Sequence, residues 1–152
     1  MCTSFMGELM TATHNFGTAP IRAATTADTF KAALYLTSAT VNAATTAYSS
    51  TNEVTGTGYT AGGVTVTNAT APIATNSSAT AGVAYWTPSA SITYTTVTLS
   101  TAFDCVLIYN SSQSDKAVSV HTFGSQTITA GTFTLTMPSN TTTTALLRLS
   151  TT

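Results

Sequence analysis

Residues 104–110 read Asp-Cys-Val-Leu-Ile-Tyr-Asn, apolar without a break from Cys105 to Tyr109, and the polar string Asn-Ser-Ser-Gln-Ser-Asp-Lys follows at once. Such a run keeps no side for water. It is too short for a globular helix and is stopped by turn residues, so it reads as a central strand buried on both faces. The rest of the chain has to cover it. After the turn, KAVSVHTFG (116–124) resumes with Val118 and Val120 on one face and His121 and Phe123 on the other, which makes the two segments a hairpin.

Further strands follow from the same reading. ITYTTVTLS (92–100) moves its apolar phase from Ile92 and Tyr94 to Val97 and Leu99, the mark of a bulge or a change of sheet. ITAGTFTLTMP (128–138) shifts likewise at Gly131, with Phe133, Leu135 and Met137 pointing one way. In 30–36, Phe30, Ala32, Leu34 and Leu36 alternate with Lys31, Ala33 and Tyr35. Val64 and Val66 begin a strand, 67–82 is a loop or a weak edge strand, Pro88 ends a strand over 83–87, and ALLRLS (145–150) is the last. Seven or eight short strands with Gly, Ser and Asn turns predict an all-β fold, an antiparallel β-sandwich or jelly-roll-like domain over 21–152.

Two segments fall outside that pattern. Over 1–20 we expect a short N-terminal helix and arm, because Phe5, Met6, Leu9 and Met10 form a helical stripe, with Thr3 or Ser4 able to cap it and Glu8 in an early turn. A helix this short is not stable alone and must pack on something. Since the strands can build a two-layer core without it, Phe5, Met6, Leu9 and Met10 are the expected contact with a neighbouring copy or with the surface of a larger assembly. The second segment, 37–63, keeps neither period. Its Asn52, Gly56, Gly58, Gly62 and Gly63 and the single charge of 51–67, Glu53, mark a structured loop feeding the next strand.

Composition decides against disorder. The 152 residues are 43% hydrophobic, enough for a core, while only 6% are charged; disorder needs low hydrophobicity and high net charge. Thr and Ser keep the surface hydrated in place of charge, and Thr suits a pleated sheet. With a net charge of −1 and Arg22, Lys31, Lys116 and Arg148 scattered, the chain offers nucleic acid no basic patch. No apolar run is long enough to span a bilayer, and 1–16 lacks the basic-then-apolar pattern of a secretory leader, so folding in the cytosol is expected. Cys2 and Cys105 are then expected as free thiols, and the sequons at Asn68, Asn76, Asn110 and Asn140 as by-products of composition.

Few residues could carry chemistry. Cys105 and His121 could pair across the hairpin with Asp104 or Asp115 as orienting group, but a cysteine inside an apolar run reads as an inert buried thiol. Asn110, Ser112 and Asp115 could lend oxygens to Ca²⁺, yet they read first as turn residues. Two histidines more than a hundred positions apart fit no metal-ligand spacing. Tyr85, Trp86 and Tyr94 could stack on sugars, against a plain reading as core. GTGYTAGG does not run from a buried strand into a helix, so it is not a phosphate cradle. We therefore expect no enzyme, no cofactor, no metal and no small-molecule substrate.

Three stretches, CTSFMGELMTATHNF, DTFKAALYLTSATVNAATTAYSSTNEVTGTGYTAGGVTV and LIYNSSQSDKAVSVHTFGSQTITAGTFTLTMPSN, together covering most of the chain, resemble a widespread group of small Thr/Ala-rich structural proteins of tailed bacteriophages. CTSF, the TNEVTGTGYTAGG loop and LIYN carry the resemblance most specifically. It implies a virion component, and within that group a head decoration or cement protein whose partner is the major capsid protein. It brings no site residues with it. Low charge is consistent with many copies standing side by side on a symmetric shell, where like charges would repel. A homo-trimer on a three-fold position is the expected assembly, with three weak footholds adding up to firm attachment. The alternative is a tail or fibre module binding host glycans through Tyr85, Trp86 and Tyr94.

Overall fold

The computed structural model describes residues 1–10, 13–14, 16, 27–67, 71–75 and 82–150. Helix α1 (Thr3–Met10) precedes β1 (Phe30–Leu36), β2 (Val64–Thr65), β3 (Ile73–Thr75), β4 (Val83–Trp86), β5 (Ile92–Asn110), β6 (Lys116–Leu135) and β7 (Leu147–Ser150). The strands form two antiparallel sheets, one ordered β2-β1-β5-β6 and the other β3-β4-β7. The fold is all-β.

The apolar run Cys105–Tyr109 lies in β5, hydrogen-bonded to β1 on one side and β6 on the other, and its residues are all buried. In β1 the expected polar face is buried as well: Ala33 and Tyr35 are as enclosed as Ala32 and Leu34. The reason lies in 37–63, which returns along β1. Asn52 O accepts from Leu36 N, and Val54 N donates to Leu34 O.

The four strand segments read from the sequence over 92–138 are two long strands. ITYTTVTLS and DCVLIYN fuse into the 19 residues of β5, and KAVSVHTFG and ITAGTFTLTMP into the 20 of β6. The phase shifts are bulges within one sheet, and the two halves of one of them face each other: Val97 pairs with Gly131, and the register slips on both sides of that pair. Thr96 and Ala130 take left-handed φ of 54° and 44° to absorb the extra residues. Strand β3 occupies part of 67–82 as an exposed edge.

The N-terminal segment joins the domain's own core. Cys2 N donates to Val118 O of β6, and Phe16 stacks on Phe30 at 4.6 Å and meets Trp86 edge-on at 4.8 Å. Phe5 is 2% exposed in the same cluster, and Leu9 packs against it. Ser4 Oγ is buried without a partner, so it does not cap the helix. The side chains of Thr3, Met6 and Met10 and the boundary at residues 20–21 lie outside the described residues.

Candidate functional site

Glu53 is the centre of the first polar cluster. Its carboxylate, 6% exposed, accepts from Tyr59 Oη (2.6 Å) and Gly62 N (2.8 Å) at Oε1 and from Tyr48 Oη (2.6 Å) at Oε2. Tyr59 Oη also accepts from Leu34 N, while Tyr109 Oη donates to Gly62 O, Tyr94 Oη to Ala32 O and Tyr35 Oη to Ser49 O. Tyr48 stacks on Tyr109 and Tyr59 on Tyr94. Tyr59, Tyr35 and Tyr109 thereby pin the loop to β1 and β5, while Tyr48 bonds within the loop and Tyr94 joins β5 to β1. Burial pushes the Tyr35 and Tyr109 hydroxyls up to about 12, and burial together with the Glu53 carboxylate raises Tyr48 and Tyr59 further, so all four stay protonated donors. Glycine lets the loop lie this close. At Gly56 a Cβ would overlap Thr98 O, and at Gly63, with φ of 70°, it would overlap Ala32 O.

A second chain of hydrogen bonds ties α1 to the hairpin turn. Asn110, fully buried, donates through Nδ2 to Asp28 Oδ2 (2.8 Å) and to His14 Nδ1 (2.9 Å), and its Oδ1 accepts from Ser112 N (3.1 Å). That orientation makes His14 Nδ1 an acceptor. The imidazole proton therefore sits on Nε2, which donates to Glu8 Oε2 at 2.8 Å, while Lys116 Nζ donates to Glu8 Oε1 at 2.8 Å. Burial lowers the His14 pKa, with Glu8 pulling the other way; for Glu8 burial pushes upward, but the bonds from Lys116 and His14 outweigh it and leave a lowered pKa. The arrangement stores a proton at Nε2, and neither surface groove described below is lined by His14. Sequence reasoning missed this network. Glu8 was visible only as a helix residue, and His14 and Asn110 lie 96 positions apart.

The sequence-predicted site residues are dispersed. Cys105 pairs with Thr122 and Val106 with His121, so Cys105 and His121 point to opposite faces of the sheet and do not meet. Burial, and less so Asp104, raises the Cys105 thiol to about 11, and His121 hydrogen-bonds Ser119 Oγ instead. Asn110 is engaged by Asp28 and His14, which leaves no Ca²⁺ set with Ser112 and Asp115; among the described residues no three His, Cys, Asp or Glu come together as metal ligands. The sugar platform is also corrected. Trp86 is 2% and Tyr94 1% exposed, so neither offers a ring face to solvent beside the half-buried Tyr85. Phe5, expected at an oligomer or capsid contact, has its side chain inside the chain's own core.

Grooves open on the surface of the described residues. One, about 70 Å³, lies between α1 and the smaller sheet, with Phe5, Leu9, Trp86, Leu147 and Leu149 in its wall. Another, about 400 Å³, runs between 87–91 and 137–140, where Asn140 Oδ1 is buried without a partner. Compared with protein-family models, with curated proteins and with solved structures, the chain finds no match in any of the three.

Proposed function

We propose that this protein is a structural component of a tailed-bacteriophage virion, a decoration or cement protein bound to the outside of the major capsid lattice, and that its two sheets face each other as a β-sandwich. The observation that carries the reading is where the ionisable groups go. Glu53 gathers Tyr48, Tyr59 and Gly62 of the long loop, with Tyr59 in turn holding Leu34 N of β1, and Glu8, His14, Asp28 and Lys116 bond the N-terminal segment to the hairpin turn. Polar chemistry in this chain serves rigidity. That suits a part whose work is to stay folded on a shell under internal pressure, and the resemblance of CTSF, TNEVTGTGYTAGG and LIYN to phage structural proteins supports the same place. Phe30 of one sheet and Trp86 of the other share the core, which supports the sandwich.

A ligand that binds only the assembled lattice stabilises it by mass action. Virions lacking this protein should therefore assemble but release DNA at a lower temperature or on milder osmotic shock, and purified protein added back should restore them. Stripped particles with an unchanged release temperature would refute the proposal.

A further inference from the structure

Strand β6 is the outer strand of the larger sheet, and most of its outer edge has no backbone partner among the described residues. Near its start the edge is occupied: Ala117 N donates to Thr46 O, and Val118 O accepts from Cys2 N. Beyond that, from Ser119 to Leu135, the only backbone partner among the described residues is β5. An antiparallel strand bonded on one side turns about half of its N–H and C=O groups the other way, so this edge offers a long row of unpaired donors and acceptors.

Edges of this kind are ordinarily blunted by Lys, Pro or shortness. None of these is present here. Residues 117–135 contain no charged residue and no proline, and His121 is their one titratable group. The bulges opposite Val97 and Phe103 bend the pair without covering it. Along the same strand Val120, Phe123, Ile128, Phe133 and Leu135 are half-buried and packed against the core.

We propose that this edge is a self-association surface, on which β6 of a second copy pairs antiparallel with β6 of the first, joining two four-stranded sheets into one of eight. Length selects the partner. The smaller sheet's edges, β3 and β7, have three and four residues and β2 has two, so among the described edge strands only β6 matches β6 in length. Neutrality selects it too, because an uncharged edge facing its own copy meets no like charge. The same patch on both partners makes the contact two-fold. Full overlap of 119–135 puts the axis at Thr127, an exposed residue that then faces its own counterpart. The inference stands on the edge alone and not on the virion reading.

Thr127 supplies the test. Purified wild-type chain should sediment as a dimer. Thr127→Lys and Thr127→Asp, each placing like charges across the axis, should weaken the dimer roughly fivefold. Mixing the two variants should give a heterodimer tighter than either homodimer. Thermal melting of each variant, unchanged from wild type, separates lost pairing from lost folding. A monomeric wild type, a wild-type trimer, a Lys variant as dimeric as wild type, or a mixture no tighter than its components would overturn the proposal.

Discussion

Three donors converge on the Glu53 carboxylate, and what replaces it decides how many are left unmet. Alanine strands Tyr48 Oη, Tyr59 Oη and Gly62 N inside the protein. Glutamine keeps an oxygen for Tyr59 and Gly62, and its amide can donate to Tyr48 once that hydroxyl turns. Orphaned buried donors cost about 1–3 kcal/mol each before relaxation, so Glu53→Ala should destabilise by about 3 kcal/mol and Glu53→Gln by about 1 kcal/mol, read from urea unfolding midpoints. Equal losses would mean that the carboxylate's bonds do not hold the loop. Part of this was legible beforehand: Glu53 stood out as the single charge of 51–67, and the glycines announced a structured loop. The tyrosines were not legible as its partners. A hydroxyl that reaches 25 positions along the chain, as Tyr59 does to Leu34 N, leaves no periodic trace.

At the scale of elements, β1, β4, β7 and the hairpin turn were readable because local periodicity and turn chemistry both marked them. The fusion of four segments into β5 and β6 was not, since a bulge and a strand end look alike when only the apolar phase is seen. Helix α1 was readable as a stripe, but amphipathicity says that a face is buried and not against what. Phe5 and Phe16 show the answer, closing the chain's own core beside Phe30. How firmly α1 is held depends on pH through His14. Its Nδ1 faces the Asn110 amide donor, so protonation breaks that bond, while Glu8 on α1, Asp28 before β1 and Lys116 on β6 complete its charged surroundings. The folded-state pKa lies below the ordinary 6.5, so as pH falls the unfolded chain takes up the proton first. Stability is full above 6.5 and declines as pH drops towards the folded value; the lowered Glu8 pKa adds a second loss below 4.5. Melting temperature should therefore fall on acidification below 6.5, with α1 amides losing hydrogen-exchange protection first. His14→Gln should shrink the first phase to the part owed to His121, whose pKa burial also lowers, and should weaken the second, which Lys116 alone then supports. A wild-type melting curve flat down to 4.5 would show that the network does not hold the helix.

Across the whole molecule, scarcity of charge leaves few ways for copies to recognise or avoid one another. With a net charge of −1 and 6% charged residues, long-range repulsion between copies is weak, and contact is governed by hydroxyls, backbone and apolar rows. The two sheets differ in what they expose. The smaller one ends in short strands, with Ile73 and Leu149 protruding singly, whereas the larger one has at one end the 20-residue β6, without a backbone partner on its outer side from Ser119 onward among the described residues. Pairing along that strand would rest on main-chain hydrogen bonds and on burial of Phe123, Ile128 and Phe133, neither of which ions screen. Sodium chloride should then change the wild-type dimer's dissociation constant by less than about twofold between low and high concentration, because screening acts only on charge. The Thr127→Lys homodimer should behave differently and tighten with salt, as its single introduced repulsion is screened. Sedimentation across a salt series reads both. A wild-type dimer that falls apart in high salt would mean that Lys116, Asp115 or another charged residue, and not the neutral edge, holds the copies together.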